Sequence, residues 1–188
     1  MKLPFPGWEP SAGGPQIDVH ALRPEELDEV ASTLRHRIVA TDRFDRQRRG
    51  ECLYAIAWEE RRAIGQLLLH WRRPPAVRIA PAIDALPYVE DLFVLPAARR
   101  RGAGTALLDA AAAAAAARGS PGLSLAVSVD NDPARRLYSR LGYVDAGTPA
   151  HLQPTSEHAA DGAVRSRQET VIDLVHWLDP KLRAPAPS

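Results

Sequence analysis

The stretch from Tyr88 to Gly119 places a strand, a glycine-containing turn and a helix directly one after another. Residues 88–95 are rich in β-branched and aromatic side chains and are followed by Pro96, which predicts a strand. Alanine and leucine dominate from Gly102 onward, which predicts a helix with Gly119 as its C-cap. The turn between them has the sequence R-R-R-G-A-G over residues 99–104. This succession is typical of sheets that carry helices on their faces.

The turn itself has the chemistry of a phosphate site. Gly102 and Gly104 let the backbone bend tightly and approach a ligand without interference from a Cβ atom. The unpaired amides at a helix N-terminus point outward at the positive end of the helix dipole, where phosphate binds. Three adjacent arginines can add charge-assisted hydrogen bonds. The alternatives are a plain helix start with a solvated arginine face, a dinucleotide site that lacks its third glycine, and a P-loop that lacks its lysine before Thr105.

The order of strand, R-x-x-G-x-G and helix resembles the GNAT superfamily of acetyl-CoA-dependent N-acyltransferases. A second segment, N-x-x-A-x-x-L-Y-x-x-x-G-Y over residues 131–143, is similar to another motif of that family and follows one strand later. Taken alone, that segment is an ordinary capped amphipathic helix. The two motifs together cover residues 88–143, less than a third of the chain.

The resemblance implies where acetyl-CoA binds. Its pyrophosphate would lie on the loop and helix start formed by Arg99, Arg100, Arg101, Gly102, Ala103, Gly104 and Thr105. Its pantetheine arm would bond to the backbone of Leu92, Phe93 and Val94, and Asn131 would contact the cofactor. Arg135 is a further candidate for the phosphates, although solvated helix arginines are commoner. Arg100 stands where many family members have glycine, so its side chain needs an outward path.

Transfer of an acetyl group to an amine requires a neutral nitrogen, and an alkyl ammonium has a pKa of about 10.4. A carboxylate can remove the proton directly or through water, and Glu90 and Asp91 are the candidates. In a regular strand Glu90 shares a face with Tyr88 and Leu92 while Asp91 points the other way, unless a bulge intervenes. The similar stretch in diamine acetyltransferases favours the first acid. Glu90 is therefore the expected general base, the alternative being a sheet carboxylate paired with an arginine.

A proton donor helps the thiolate of CoA to leave, since a thiol has a pKa of about 8.5. The resemblance places Tyr138 near the sulfur of the cofactor, which makes Tyr138 the candidate for that donor. The alternative is an aromatic side chain of the helix packed on the sheet. Cys52 is the only cysteine and is expected to be a strand residue rather than a nucleophile. The expected reaction is thus direct transfer in a ternary complex.

Length and composition narrow the possible domain organisation and the classes of partner. The 188 residues suit one domain, expected over residues 16–178, with an N-terminal arm at 1–15 and a C-terminal tail at 179–188. A net charge of +1 gives no reason to expect nucleic acid or a membrane surface as partner. The six histidines lack the spacing of a metal site. No signal peptide or spanning segment is recognised, so we expect a cytoplasmic protein, and a homodimer is compatible with these residues.

The predicted order of elements is β-α-(α)-β-β-β-α-β-α-β-β, which indicates an α/β fold with a central mixed sheet of six to seven strands and helices on both faces. Residues 41–50 form a helix or a loop, and their interleaved charges favour an exposed face for Arg43, Arg46, Arg48 and Arg49. Residues 149–167 are expected to be an irregular polar loop.

The expected function is an acetyl-CoA-dependent N-acetyltransferase acting on a primary amine, with a small molecule as the leading acceptor. A protein N-terminus or lysine is the first alternative. A non-catalytic acyl-CoA-binding module is the second, and it would keep the loop at residues 99–104 but need neither Glu90 nor Tyr138.

Overall fold

The computed structural model describes residues 17–158, 164–179 and 181. The predicted arm at residues 1–15 and most of the predicted tail at residues 179–188 lie outside these ranges. The described strands are β1 Ile17–Ala21, β2 Cys52–Glu59, β3 Arg62–His70, β4 Tyr88–Val94, β5 Gly122–Ser128, β6 Val144–Asp145, β7 His151–His158 and β8 Val164–Trp177. The described helices are α1 Leu27–Thr33, α2 Arg37–Arg48, α3 Pro81–Asp84, α4 Ala103–Ala117 and α5 Asp132–Arg140.

The strands form one mixed sheet in the order β1-β2-β3-β4-β5-β8-β6, with β7 pairing to β8. Neighbouring strands run antiparallel except β4 and β5, which are parallel because α4 returns the chain between them. The α/β class with helices on both faces is confirmed. The sheet has eight described strands, one more than the upper number expected.

The two faces of the sheet have separate cores. On one face, α4 places Leu107, Leu108 and several alanines against buried residues of β3 and β5 such as Leu67 and Leu125. The small alanines let this helix approach the sheet closely. On the other face, α1 and α2 cover a second cluster that contains Tyr54. The first face is called the α4 face below, and the second the α1–α2 face.

The predicted start and end of the helices agree with local chemistry. Asn131 is the N-cap of α5, and its Oδ1 accepts a hydrogen bond from the amide of Ala134 at 3.2 Å. Gly119 follows the end of α4 with a φ of 73°, the left-handed conformation that suits a glycine after a helix. Residues 37–48 are a helix, which settles the choice left open for residues 41–50.

The expectation of an irregular loop at residues 149–167 is wrong. Residues 151–158 form β7 and pair with the first half of β8, which begins at Val164. The segment H-L-Q-P-T-S-E-H has no alternation of apolar and polar residues, and Leu152 is 67% exposed. The half-buried positions of β7, His151, Gln153 and Thr155, are polar, so the hydrophobic pattern of the sequence does not show this strand.

Candidate active site

The cleft of the molecule lies where β4 and β5 separate. Their pairing is confined to Tyr88 with Ser124 and Val89 with Leu125, after which the strands diverge. The opening has a volume of about 300 Å³. Its walls are formed by Val89, Asp91, Leu92, Leu125, Ala126, Val127, Ser128, Asn131, Tyr138 and Glu169. The backbone of β4 beyond Val89 therefore faces the cleft on one edge and bonds to β3 on the other.

A β-bulge in β4 decides where its two acids point. Leu68 of β3 lies opposite Glu90 and Gln66 lies opposite Phe93, so one residue of β3 faces two residues of β4. Asp91 lies in the bulge with a φ of 54°. Both carboxylates therefore point to the α1–α2 face, and the alternation expected of a regular strand does not hold.

Asp91 is fully engaged by neighbours on that face. Arg35 forms a two-pronged ion pair with it, Arg43 Nη1 lies 2.6 Å from its Oδ2, and Gln66 Nε2 donates to the same oxygen at 2.7 Å. Gln66 is itself held by the hydroxyl of Tyr54 at 2.7 Å. Asp91 thus fixes the bulge and the helices above it, and it has little capacity left for a substrate.

Arg43 corrects a second expectation. Its side chain is 11% exposed, so it is not part of the solvated charged face predicted for α2. Desolvation opposes its charge, but the nearby Asp91 carboxylate more than compensates and raises the pKa of Arg43. Arg48 and Arg49 are exposed as expected.

Glu90 has a different environment. Its side chain is 46% exposed, and its Oε2 lies 2.6 Å from Nε2 of the buried His70. The other ring nitrogen of His70 lies 3.1 Å from Nη2 of Arg46. A guanidinium can only donate, so Nδ1 accepts from Arg46 and Nε2 carries the hydrogen that is donated to Glu90. One oxygen of the carboxylate is thereby held in place.

The charge on Glu90 is favoured by this arrangement. Burial alone would raise the pKa of Glu90, but the hydrogen bond from His70 and the positive charges of Arg43 and Arg46 outweigh it and lower the pKa below its ordinary value. Glu90 is therefore ionised at neutral pH and can accept a proton. It lies on the α1–α2 face and is not among the residues that line the cleft between β4 and β5.

Tyr138 lies on the other side of the backbone of β4. Tyr138 is 7% exposed and lines the cleft, and the centroid of its ring lies 5.5 Å from the ring centroid of Tyr143. Burial raises the pKa of Tyr138 to about 12. With this pKa the hydroxyl stays protonated at neutral pH. It has no hydrogen-bond partner among the described residues, so it is free to donate into the cleft.

The N-terminus of α4 has the geometry of an anion site. Gly102 is the N-cap with a φ of 96°, and no side chain caps the helix. The first helical bond runs from the amide of Ala106 to the carbonyl of Gly102 at 2.9 Å, so the amides of Ala103, Gly104 and Thr105 precede the ladder. A Cβ atom at Gly104 would lie 3.3 Å from Cδ2 of Leu137, so this glycine allows close packing on α5.

The three arginines of the loop differ in their partners. Arg99 Nε donates to the carbonyl of Val94 at 3.0 Å, and Arg101 forms an ion pair with Glu59 at the end of β2. Arg100 has a φ of 61° and no side-chain partner within the described ranges. The left-handed backbone explains physically why a glycine suits this position.

The other predicted cofactor residues surround the cleft. Asn131 lines it while its Oδ1 caps α5. Arg135 is held by the carbonyl of Val129 at 3.1 Å and lies 3.8 Å from Asp132. Leu92 and Val94 pack into the core of the α4 face, whereas Phe93 lies under the guanidinium of Arg35 on the opposite face. Their roles in binding stay predictions.

Sequence reasoning missed two groups. His70 and Arg46, which orient Glu90, come from β3 and α2. The register of β3 against β4 brings His70 to Glu90, and the packing of α2 on the sheet brings Arg46 to His70. The one local signal was a histidine at the end of a strand, directly after three leucines at residues 67–69. Glu169 of β8 lines the cleft, and it lies just beyond the segment at residues 149–167 that was expected to be a loop. Among the described residues, no group of three or more His, Cys, Asp or Glu could hold a metal ion, and no helix is both long and apolar enough to cross a membrane.

The model of the acetyltransferase (GNAT) family matches residues 18–143, well over half of the chain. The chain belongs to the GNAT acetyltransferase family. The resemblance found in the motifs at residues 99–104 and 131–143 is thereby confirmed. The family uses acetyl-CoA as its acetyl donor.

Known proteins agree with this assignment at different levels. An alignment over 86 positions, which covers 42% of this chain, is 37% identical to N-alpha-acetyltransferase 40 of Saccharomyces cerevisiae. The match spans only 30% of the length of that relative.

Solved structures of low sequence identity share the fold. An N-acetyltransferase from Staphylococcus aureus Mu50 is similar with a TM-score of 0.61 at 14% identity over 87% of this chain and 99% of that one. The ribosomal-protein-S18-alanine N-acetyltransferase of Escherichia coli has a TM-score of 0.58 at 16% identity, over 85% and 92% of the two chains. The yncA acetyltransferase from Salmonella typhimurium, solved with its cofactor acetyl-CoA, has a TM-score of 0.59 at 14% identity, over 92% and 98%.

Proposed function

We propose that the protein is an N-acetyltransferase that transfers an acetyl group directly from acetyl-CoA to a primary amine. The observation that carries this proposal is the arrangement around β4. The cleft between β4 and β5 lies on one edge of the strand, and an ionised carboxylate, Glu90, projects from its α1–α2 face. Acetyl-CoA in the cleft and an amine that enters from the α1–α2 face would meet at the backbone of the bulge in β4.

The residues present fit acetyl-CoA. The uncapped amides of Ala103, Gly104 and Thr105 suit a pyrophosphate, and Arg100 is available to neutralise part of its charge. The unpaired edge of β4 beyond Val89 offers backbone groups to the amides of a pantetheine arm. Acetyl-CoA would supply an activated thioester there.

Glu90 acts in this proposal as the general base. It is ionised at neutral pH, and one carboxylate oxygen is fixed by His70 while the side chain remains half-exposed. A proton taken from the ammonium can therefore be passed to solvent. Backbone amides of residues 92–94 would donate to the oxygen on which negative charge develops.

Tyr138 acts as the hydrogen-bond donor for the departing thiolate. A hydroxyl whose pKa is about 12 remains protonated beside a thiol whose ordinary pKa is about 8.5. Full proton transfer to the sulfur would be uphill, so the role that fits is stabilisation of the thiolate by a hydrogen bond.

The acceptor face carries Arg35, Arg43 and Arg46 against the two carboxylates Glu90 and Asp91. Glu51 lies 3.5 Å from Arg46, so the charges of this face balance and do not select a strongly charged acceptor. A small amine is the leading acceptor. A protein α-amine is the second candidate, and the 37% identity to N-alpha-acetyltransferase 40 favours it.

The experiment is an assay of CoA thiol release with product masses measured for two acceptor panels, small primary amines and short peptides with free N-termini. Glu90→Gln should lose at least about tenfold in kcat with each accepted amine, because base catalysis contributes about 10²–10⁴-fold. The matched control is Glu25→Gln, an exposed glutamate in the turn before α1. Acetylation at oxygen or sulfur, or full activity of Glu90→Gln, would reject the proposal.

A further inference from the structure

A second cavity lies at the end of β3, away from the cleft between β4 and β5. Its volume is about 390 Å³, and it shares no lining residue with the cleft. Five arginines line it: Arg46, Arg72, Arg73, Arg78 and Arg118. A cavity of this volume is within the range that holds small ligands.

The charge of this cavity is poorly compensated. Glu51 is the carboxylate in its lining, and it is occupied by Arg49 at 2.6 Å and Arg46 at 3.5 Å. Arg72, Arg78 and Arg118 have no carboxylate partner among the described residues. Like charges held close together repel one another, and a bound anion would relieve that repulsion.

Two buried donors in the lining also lack an acceptor. Arg73 is 1% exposed, and although it bonds to Asp173 and to the carbonyl of Val77, its Nη1 has no partner in the described part of the chain. The indole Nε1 of Trp71 is likewise buried without a partner. Buried polar groups in proteins nearly always find one. Neither atom is exposed to solvent, so both donors leave positive potential in the wall behind the cavity rather than a preformed bond to a ligand.

The aromatic wall is held in position. The guanidinium of Arg118, just after α4, lies 3.7 Å above the ring of Trp71. This stacking orders one of the uncompensated arginines without neutralising it. The planar guanidinium groups match phosphate and carboxylate oxygens in pairs.

We propose that this cavity, called the arginine cavity below, is a binding site for a small anion that carries a phosphate or carboxylate group. It is separate from the acetyl-CoA cleft. Through Arg46 and His70 it adjoins the proposed base, because His70 lines the cavity and contacts both Arg46 and Glu90.

The test is calorimetric titration with inorganic phosphate and, separately, with succinate, each in the absence and in the presence of saturating acetyl-CoA. The two anions distinguish a phosphate ligand from a carboxylate ligand. We expect one of them to bind, with an affinity that acetyl-CoA leaves unchanged. Binding abolished by acetyl-CoA would place the anion at the N-terminus of α4 and overturn the proposal.

The variant Arg72→Gln/Arg78→Gln should weaken this binding about tenfold or more, since each hydrogen bond between charged groups contributes strongly to affinity. Both side chains are exposed, and a thermal melt confirms that the variant folds. The control is Arg61→Gln/Arg62→Gln at the turn between β2 and β3, which removes the same charge elsewhere. Equal affinity in the two double variants, or no binding of either anion at millimolar concentration, would also overturn it.

Discussion

Replacing His70 with leucine should raise the pKa of Glu90 and move the acidic limb of the pH–rate profile to higher pH. In the wild type the hydrogen bond from His70 helps to lower this pKa, against the effect of burial. A base must be ionised to act, so kcat/KM falls as the pH drops through its pKa. Once the donor is removed, that fall begins at a higher pH.

The size of the shift follows from the contact. A hydrogen bond to a charged group contributes about 1.5–3 kcal/mol, which corresponds to about one to two pKa units. The side chain of Glu90 is 46% exposed, so water replaces part of the lost bond. We therefore expect the lower end of that range, about one unit.

The assay is kcat/KM for acetyl transfer across the acidic and neutral range, with His70→Gln beside His70→Leu. The amide of glutamine can donate to Glu90, so His70→Gln should restore part of the wild-type profile. An unchanged acidic limb in His70→Leu, in a protein where Glu90→Gln has lost activity, would refute the argument that His70 acts through Glu90.

Three further changes test the packing and the site. Asp173→Asn removes the carboxylate from the fully buried ion pair with Arg73. It should lower the free energy of unfolding, measured by urea denaturation, by about 3–5 kcal/mol, and replacing both partners by apolar residues should lower it far less. Tyr138→Phe should lower kcat about tenfold or more while calorimetry shows acetyl-CoA affinity unchanged, and unimpaired turnover would remove Tyr138 from the mechanism. Gly65→Ala places a Cβ atom 2.9 Å from the carbonyl oxygen of Phe93, so we expect the free energy of unfolding to fall by about 1–3 kcal/mol. A urea midpoint equal to that of the wild type would show that β3 and β4 move apart at little cost.

The local part of the site could be predicted from the sequence. The strand, the turn at Gly102 and the start of α4 depend on residues that are neighbours in the chain, as does the cap of α5 by Asn131. Glycine, proline and capping residues act within a few positions, so their pattern is visible without a structure.

The non-local part could not be predicted. The bulge that turns Asp91 to the same face as Glu90 follows from the register of β3 against β4. The contact between His70 and Glu90 joins residues from two strands, and the burial of Arg43 depends on an acid far along the chain. No spacing within one element encodes such pairings.

The ribbon of β7 and β8 shows a related limit. Its strands pair through the backbone, while Leu152 is 67% exposed, so neither alternation nor an apolar run marks the segment. The hydrophobic pattern identifies a strand only where the side chains that face the interior are apolar, and in β7 those side chains are polar.

The measurement that tests the central claim most directly is calorimetric titration with acetyl-CoA of the wild type, of Arg99→Ala/Gly102→Ala, and of the control Arg140→Ala/Gly147→Ala. Gly102 and Gly147 both have positive φ and nothing within 4 Å of an added Cβ atom, so the two variants carry similar backbone strain. We predict micromolar binding by the wild type and the control, and a loss of about tenfold or more in the loop variant. Equal binding by both variants, or no binding by the folded wild type, would contradict the assignment of the cofactor to the N-terminus of α4.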